Sequence, residues 1–529
     1  MEQTTELLTI KQASEWASQY LRRNVTTSNI SYLIQYGRIK RVGDNGTTMV
    51  SKQDLVNYYR SYIGRTEIEW TKRLGDDLNW TLSFDYLKES ERTKHVHRLH
   101  PYKGKFIPQL VEYFLDSHIN HFKKDVYFNK GDIVLDPFCG SGTTLVQANE
   151  LSMHAIGIDV SSFNALISNV KTTKYKLVEL FNEVRKITSA LREFVSLSNT
   201  REFDSKLLNA LTAFNNTYFP SPEYKIRIRS GQINESEYGP AKAREFEQIY
   251  KALVLMYNIE IRQTNGTGNF LAKWYVKSIR QEIDLVRSLI EQIQDNDTRN
   301  ILTVIISRTI RSCRATTHFD LATLKEPMLS TYYCHKHGKI CKPLFSILNW
   351  WIRYSEDTIA RLSQFDKLRT DTNQICLIGD SRTVDIFDEL EKYKPSLAQL
   401  AKKQKIKGIF SSPPYVGLID YHDQHAYAYD LFNFKRNDNL EIGKMALGQG
   451  EKARSLYVES ISASLINCKR FLTEDYDVFL VANDKFNLYP AIAQNAGMRV
   501  VNQYKRPVLD RTERDKGAYS EIIFHLKKV

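Results

Sequence analysis

The sequence predicts an α/β fold with a parallel central sheet, on the strength of three stretches. Ile133-Val-Leu135, Ala155-Ile-Gly-Ile158 and Ile409-Phe410 are short apolar runs of the kind that a parallel sheet buries on both faces. Each gives way to a polar loop: Asp136-Pro-Phe-Cys-Gly-Ser-Gly-Thr-Thr144, Asp159, and Ser411-Ser-Pro-Pro-Tyr415. In open α/β sheets, ligands bind beyond such strand ends.

Composition agrees with a large enzyme-sized core. The chain has 529 residues, 42% of them hydrophobic, enough for one large core and one or two accessory domains. A net charge of +13 suits a polyanionic partner, because basic side chains release counterions from phosphates, although a generally basic surface gives the same number. Six cysteines, at 139, 313, 334, 341, 376 and 468, lack a disulfide-like pattern and point to a reducing compartment. The opening MEQTTELLTIKQ is not a basic region followed by an apolar one, and no apolar run is long enough to span a bilayer, so a cytoplasmic location is expected.

Four regions follow along the chain. Residues 1–62 read as a small module. A helical pattern runs through Trp16 and Tyr20, a second helix covers Ile30 to Tyr36, a short hairpin spans Arg38 to Val50, and a last helix starts at Lys52. Arg22, Arg23, Arg38, Lys40 and Arg41 gather around the turn and the hairpin. Residues 63–175 form the first part of a core. There His97 to Pro108 leads into an amphipathic stretch, Leu110 to Phe122, and Gly140 and Gly142 allow a tight turn against a nucleoside. Asp159 follows that loop at roughly the 20-residue spacing at which an acid reaches ribose hydroxyls.

Residues 176–370 change to long helical periodicities, such as Ile279 to Ile293 and Ile301 to Ile310, and read as a mainly helical insertion with a loop-rich basic stretch from Ser307 to Lys342. Residues 371–529 complete the core. Ile375 to Ile378 is the third strand, ending at Asp380 and Ser381. Asp380 reads either as an acceptor for an adenine amino group or as a cap of the next helix. Val478 to Val481, Met498 to Tyr504 and Glu521 to Leu526 supply the last strands, the final two closing as a hairpin.

Taken together, these motifs resemble the DNA amino-methyltransferases, which act on the N4 of cytosine or the N6 of adenine. The module 1–62 resembles an excisionase-like winged helix-turn-helix domain. The resemblance implies a Rossmann-like class I methyltransferase sheet, S-adenosyl-L-methionine as cofactor, and double-stranded DNA as substrate. It implies that Asp136, Phe138, Gly140, Ser141, Gly142, Thr143 and Asp159 hold the cofactor, with Asp380 and Ser381, and with Pro101, Lys105 and Phe106 at its methionine end. It also implies a catalytic tetrad of Ser412, Pro413, Pro414 and Tyr415, and a target-recognition role for the insertion. The family's alpha order is matched, except that the insertion precedes the third strand rather than the tetrad. Ser412 at the first tetrad position resembles the cytosine-N4 enzymes more than the adenine-N6 ones.

Elementary chemistry leads to the same residues. An exocyclic amine is a poor nucleophile because its lone pair is delocalised into the ring, and acceptors outside the ring plane favour the pyramidal nitrogen. Ser412 Oγ and the Pro413 carbonyl are the expected acceptors, on a loop stiffened by two prolines. Tyr415 is expected to stack on an extruded base. Past the tetrad, Tyr421, His422, Asp423 and His425 are candidate target-strand contacts, with packing or loop hydrogen bonding the stronger competing role for each. Arg308, Arg311, Arg314 and Lys342 form a basic loop approaching DNA. Cys334-His-Lys-His-Gly-Lys-Ile-Cys341 holds four potential ligands but lacks paired Cys-x-x-Cys spacing; no metal site is assigned, and whether Cys334, His335, His337 and Cys341 bind one stays open.

The expected function is site-specific DNA methylation within a restriction-modification system, with a separate endonuclease as partner. Methylation of RNA or of a protein glutamine is the rival enzyme reading, and a catalytically silent DNA-binding regulator is the non-enzyme one.

Overall fold

The structure is a computed structural model that describes residues 6–529 except 22–23, 36–38, 44–47, 61–69, 71–72, 76, 85–86, 121, 263–269, 321–323 and 510–516. The first module holds helices Ile10–Tyr20, Thr27–Gln35 and Lys52–Tyr59, with strands β1 (Leu7–Thr9), β2 (Arg41–Val42) and β3 (Met49–Ser51) in the order β1-β3-β2. Thr9 caps the first helix in a reciprocal box with Gln12, and Ser51 caps the third. Ala13, Ala17, Ile30, Val50 and Leu55 make a core of its own.

The main sheet begins with β4 (Ile133–Asp136) and β5 (His154–Asp159). Between β5 and the next strand of this sheet the chain runs mainly through helices. These include Leu177–Ser196, Asn199–Tyr218, Glu235–Met256, Lys277–Glu291, Asn296–Ser312 and Leu348–Asp366. This stretch also holds a two-stranded hairpin, β6 (Tyr332–Cys334) and β7 (Lys339–Cys341), that periodicity does not reveal, because each strand has three residues. β8 (Gln374–Ile378), β9 (Ile406–Ser411), β10 (Leu472–Ala482), β11 (Met498–Pro507) and β12 (Ser520–Lys528) complete the sheet.

Across the sheet the order is β11-β12-β10-β9-β4-β5-β8. The five strands β8, β5, β4, β9 and β10 are parallel, and β12 enters antiparallel between β10 and β11 as the second half of the expected closing hairpin. From β4 the chain steps one way to β5 and β8, then returns to β9 on β4's other flank. Between β4 and β9 lies the switch point, beyond whose strand ends a crevice opens. Both motif loops stand at this point.

The stretch from Ser307, expected as a loop, is helical at its start. The helix Asn296–Ser312 continues through it, and every residue from Ile301 to Ile310 is buried in the insertion's core. Several of its polar side chains are paired inside, while Ser307 Oγ has no partner. Thr309 Oγ1 donates to the Ile305 carbonyl at 2.9 Å, and Arg308 pairs with Asp357 at 2.6 Å while lying over the Tyr354 ring.

Candidate active site

A cleft of about 800 Å³, counting its open mouth, lies beyond the ends of β4, β5, β8 and β9. The glycine loop, the acid after β5, the Gly379–Ser381 turn, Lys105, Phe106, Ser412 and Pro414 all line it. Two loops from distant parts of the chain are tied together at its base: Ser411 Oγ donates to Asp136 at 2.5 Å, and Thr144 Oγ1 to the Phe410 carbonyl at 3.3 Å. Ser411, read only as the residue ahead of the tetrad, is therefore the brace between the two motifs.

Asp159 organises the glycine loop. Its carboxylate accepts from the Gly140 N–H at 2.8 Å, the Ser161 N–H at 2.8 Å and Asn164 Nδ2 at 3.2 Å. A carboxylate has about four acceptor positions, so one remains open. Burial raises both Asp136 and Asp159 to about 6, against the hydrogen bonds that they accept. The buried oxygens Ser141 Oγ and Asn164 Oδ1 line the same cleft and have no protein partner, as expected for groups awaiting a polar ligand.

The two glycines of the loop have different duties. Gly140 has φ +52°, and a Cβ there would stand 2.9 Å from the Tyr102 hydroxyl. Gly142 has φ +73°, and its Cβ would stand 2.9 Å from Ser168 on the helix Ser162–Thr172. Gly142 thus lies outside the cleft lining, correcting its reading as a ligand contact: it lets the loop pack on the neighbouring helix. Pro101 is likewise outside; its carbonyl holds His100 Nδ1 at 2.9 Å. Asp380 lines the cleft with its carboxylate gripped by Arg382 at 2.7–3.0 Å, and the cap of the next helix is Asp385. Ser381 Oγ shares a hydrogen bond with Ser464 at 3.0 Å.

Ser412 Oγ donates to the Val481 carbonyl at 3.0 Å. Pro413 is buried and Tyr415 half-buried, neither lining the cleft, and the Tyr415 hydroxyl donates to Glu521 at 2.8 Å.

Of the expected DNA contacts, Arg308, Arg314, His422 and His425 are buried, which puts them beyond reach of a duplex. His422 is held by Glu441, through its ring and through its N–H at 2.8 Å, and His425 packs among His100, Tyr102 and Phe163. Arg311 stays half-exposed, and Lys40 and Arg41 are exposed. Arg22, Arg23 and Arg38 lie outside the described residues. Tyr421 and Asp423 keep exposed or half-exposed positions, and Tyr421 lines the cleft stacked on Tyr102 at 5.8 Å.

Sequence reasoning missed Tyr102, Ser161, Asn164, Lys171 and Glu441. Lys171 is buried, donates to the Ser141 carbonyl at 2.5 Å and so fixes the loop from beneath; burial lowers its pKa strongly. Lys171 and Glu441 sit in no motif with a spacing to read, Tyr102 lies unremarked between Pro101 and Lys105, and Ser161 and Asn164 stand two and five positions past Asp159.

A profile of the N6_N4_Mtase family, described as DNA methylase, matches residues 25–169. The type II methyltransferase M.MjaII of Methanocaldococcus jannaschii is 45% identical over 525 residues, covering 99% of this chain and 97% of its own. M.BsoBI of Geobacillus stearothermophilus is 25% identical over 206 residues, or 39% of this chain and 36% of its own. M.MvaI of Kocuria varians is 28% identical over 144 residues, or 25% and 29%. The fold and site define an amino-methyltransferase. The chain belongs to the type II DNA methyltransferases, and its methyl donor is S-adenosyl-L-methionine.

Proposed function

We propose that this enzyme methylates the exocyclic N4 of cytosine at a specific site in double-stranded DNA, as the modification arm of a restriction-modification system whose endonuclease is a separate chain. The observation that carries this reading is the shared cleft, in which Ser412 and Pro414 stand with Asp159, Phe138 and the glycine loop, so that a base and the cofactor meet in one cavity.

S-adenosyl-L-methionine supplies a methyl group on its sulfonium. Gly140, Ser141, Thr143, Phe138 and Asp159 hold it, with Ser381, Lys105 and Phe106. The proton of Ser412 is committed to the Val481 carbonyl, so the hydroxyl presents lone pairs to the cleft, as an acceptor for an amino hydrogen must. The Pro413 carbonyl is the second acceptor. Tyr415, anchored through Glu521, stacks on the flipped base. The serine at this position, rather than an acid, supports cytosine. The module 1–62 acts as a winged helix-turn-helix that grips the duplex, with Lys40 and Arg41 on its exposed strand, and the helical insertion reads the target.

Transfer of labelled methyl groups to duplex DNA, single strands and RNA of matched composition tests this reading. Duplex-dependent labelling that is lost in Ser412→Ala supports it, and equal labelling of RNA overturns it.

A further inference from the structure

The Cys334–Cys341 segment acquires a geometry that its spacing did not disclose. Cys334 closes a tight turn, its carbonyl accepting from the His337 N–H at 3.1 Å and the Gly338 N–H at 2.7 Å, with Gly338 at φ +61°. Cys334 pairs across the hairpin with Lys339, and Cys341 with Tyr332, so the two thiols are diagonal neighbours on one face. His318, sixteen positions upstream, arrives from the loop after the helix Asn296–Ser312, and its ring lies 4.4 Å from that of His337. One ligand atom each of His318, Cys334, His337 and Cys341 lies within 4.8 Å of the others. His335, the remaining histidine of the segment, is instead drawn to Glu235 at 3.2 Å.

The separations have a chemical meaning. With zinc–sulfur bonds of about 2.3 Å and zinc–nitrogen bonds of about 2.0–2.1 Å, a tetrahedron has sulfur–nitrogen edges of about 3.6 Å. Here His337 Nδ1 lies 3.6 Å from both sulfurs, and His318 Nδ1 lies 3.8 Å from Cys334 Sγ. Two thiolates and two neutral imidazoles are the donor set of a closed structural zinc site, and the two thiolate charges offset those of a divalent ion.

The surroundings also call for a staple. Two strands of three residues are not stable alone. Among the described residues, the apolar cluster on the thiol face is Tyr332, Cys334 and Cys341 with Met328, while Ile340 on the other face is buried in the insertion's core. The hairpin's other backbone anchor is Asn215, bonded to both the N–H and the carbonyl of Ile340.

We propose that His318, Cys334, His337 and Cys341 bind one structural zinc ion, which ties the hairpin to the loop after the helix Asn296–Ser312. Binding requires the two thiols to lose their protons to solvent. It also requires His318 Nδ1 to give up its 2.8 Å contact with the Tyr332 hydroxyl, which keeps the His318 backbone N–H at 3.1 Å.

The full-length protein, purified without chelator and dialysed into metal-free buffer, is tested by elemental analysis. One zinc per chain is expected, with zinc lost in Cys341→Ser and in His318→Asn but kept in His335→Ala. Since a ligand variant can misfold, wild-type protein stripped by a chelator is refilled with Co²⁺, and the absorption of tetrahedral, thiolate-bound cobalt is expected. The proposal is overturned if wild-type protein holds no zinc even after Zn²⁺ is added, if Cys341→Ser retains it fully, or if the freshly isolated chain carries a Cys334–Cys341 disulfide.

Discussion

Ser412 Oγ and the Val481 carbonyl are joined by a 3.0 Å hydrogen bond that crosses from the end of β9 to β10. The bond decides the polarity of the tetrad: a hydroxyl that has given its proton to the sheet can only accept from a substrate amine. It also gives the serine one orientation before substrate arrives, so little reorganisation remains at the moment of transfer.

Ser412→Ala should therefore reduce turnover on the order of 10²-fold, as loss of one preorganised polar group does elsewhere, with S-adenosyl-L-methionine affinity unchanged. Single-turnover kinetics and calorimetry read the two quantities separately. A loss confined to cofactor affinity would place Ser412 in the cofactor site instead.

The proposed reaction gives Tyr415 two functions that substitution can separate. Tyr415→Ala removes the ring and should cost about 1–3 kcal/mol of base stacking, seen in turnover rather than in duplex affinity, because most duplex contacts lie on the backbone. Tyr415→Phe removes only the anchor to Glu521 and should cost less. Equal losses would show that the hydroxyl, and not the face, matters.

Burial moves Asp159 from 3.8 to about 6. If Asp159 holds the ribose as proposed, its ionised form is the one that accepts the hydroxyls, so cofactor affinity should rise with pH through about 6 and then level, and Asp159→Asn should abolish that step. For stability the sign is opposite. The folded chain keeps this proton to about 6 while the unfolded chain releases it near 3.8, so the stability contributed is complete below the lower value and falls as pH rises through the window. Asp136 has the same shift and adds to the effect. Calorimetric titration across this range checks the first claim, and urea unfolding the second.

Gly142→Asp should abolish cofactor binding by forcing the loop off the helix Ser162–Thr172, since even a Cβ lies 2.9 Å from Ser168. Unchanged affinity in a folded variant would mean that the loop tolerates the shift.

Lys40→Ala with Arg41→Ala should weaken duplex binding equally across sequences and lower the salt slope by about one for each phosphate that is no longer neutralised. A slope unchanged from wild type would point to a structural or partner-binding module.

The sheet and the cleft were legible because their signals are local: apolar runs, a glycine loop, and an acid at a readable spacing. What was not legible depended on contacts between distant segments. Arg308 looks like a surface charge until Asp357, 49 positions on, buries it with a salt bridge. His422 looks like a strand contact until Glu441 claims it. Lys171 belongs to no motif, Tyr102 stands in the His97–Pro108 segment without having been singled out, and the hairpin Tyr332–Cys341 is too short for periodicity to register.

The most direct measurement is nucleoside mass spectrometry of mixed-sequence duplex DNA after incubation with the enzyme and S-adenosyl-L-methionine. The arrangement around Ser412 predicts N4-methylcytosine as the product. N6-methyladenine in its place would contradict the base assignment, and no methylated nucleoside across varied duplexes would contradict the proposed reaction itself.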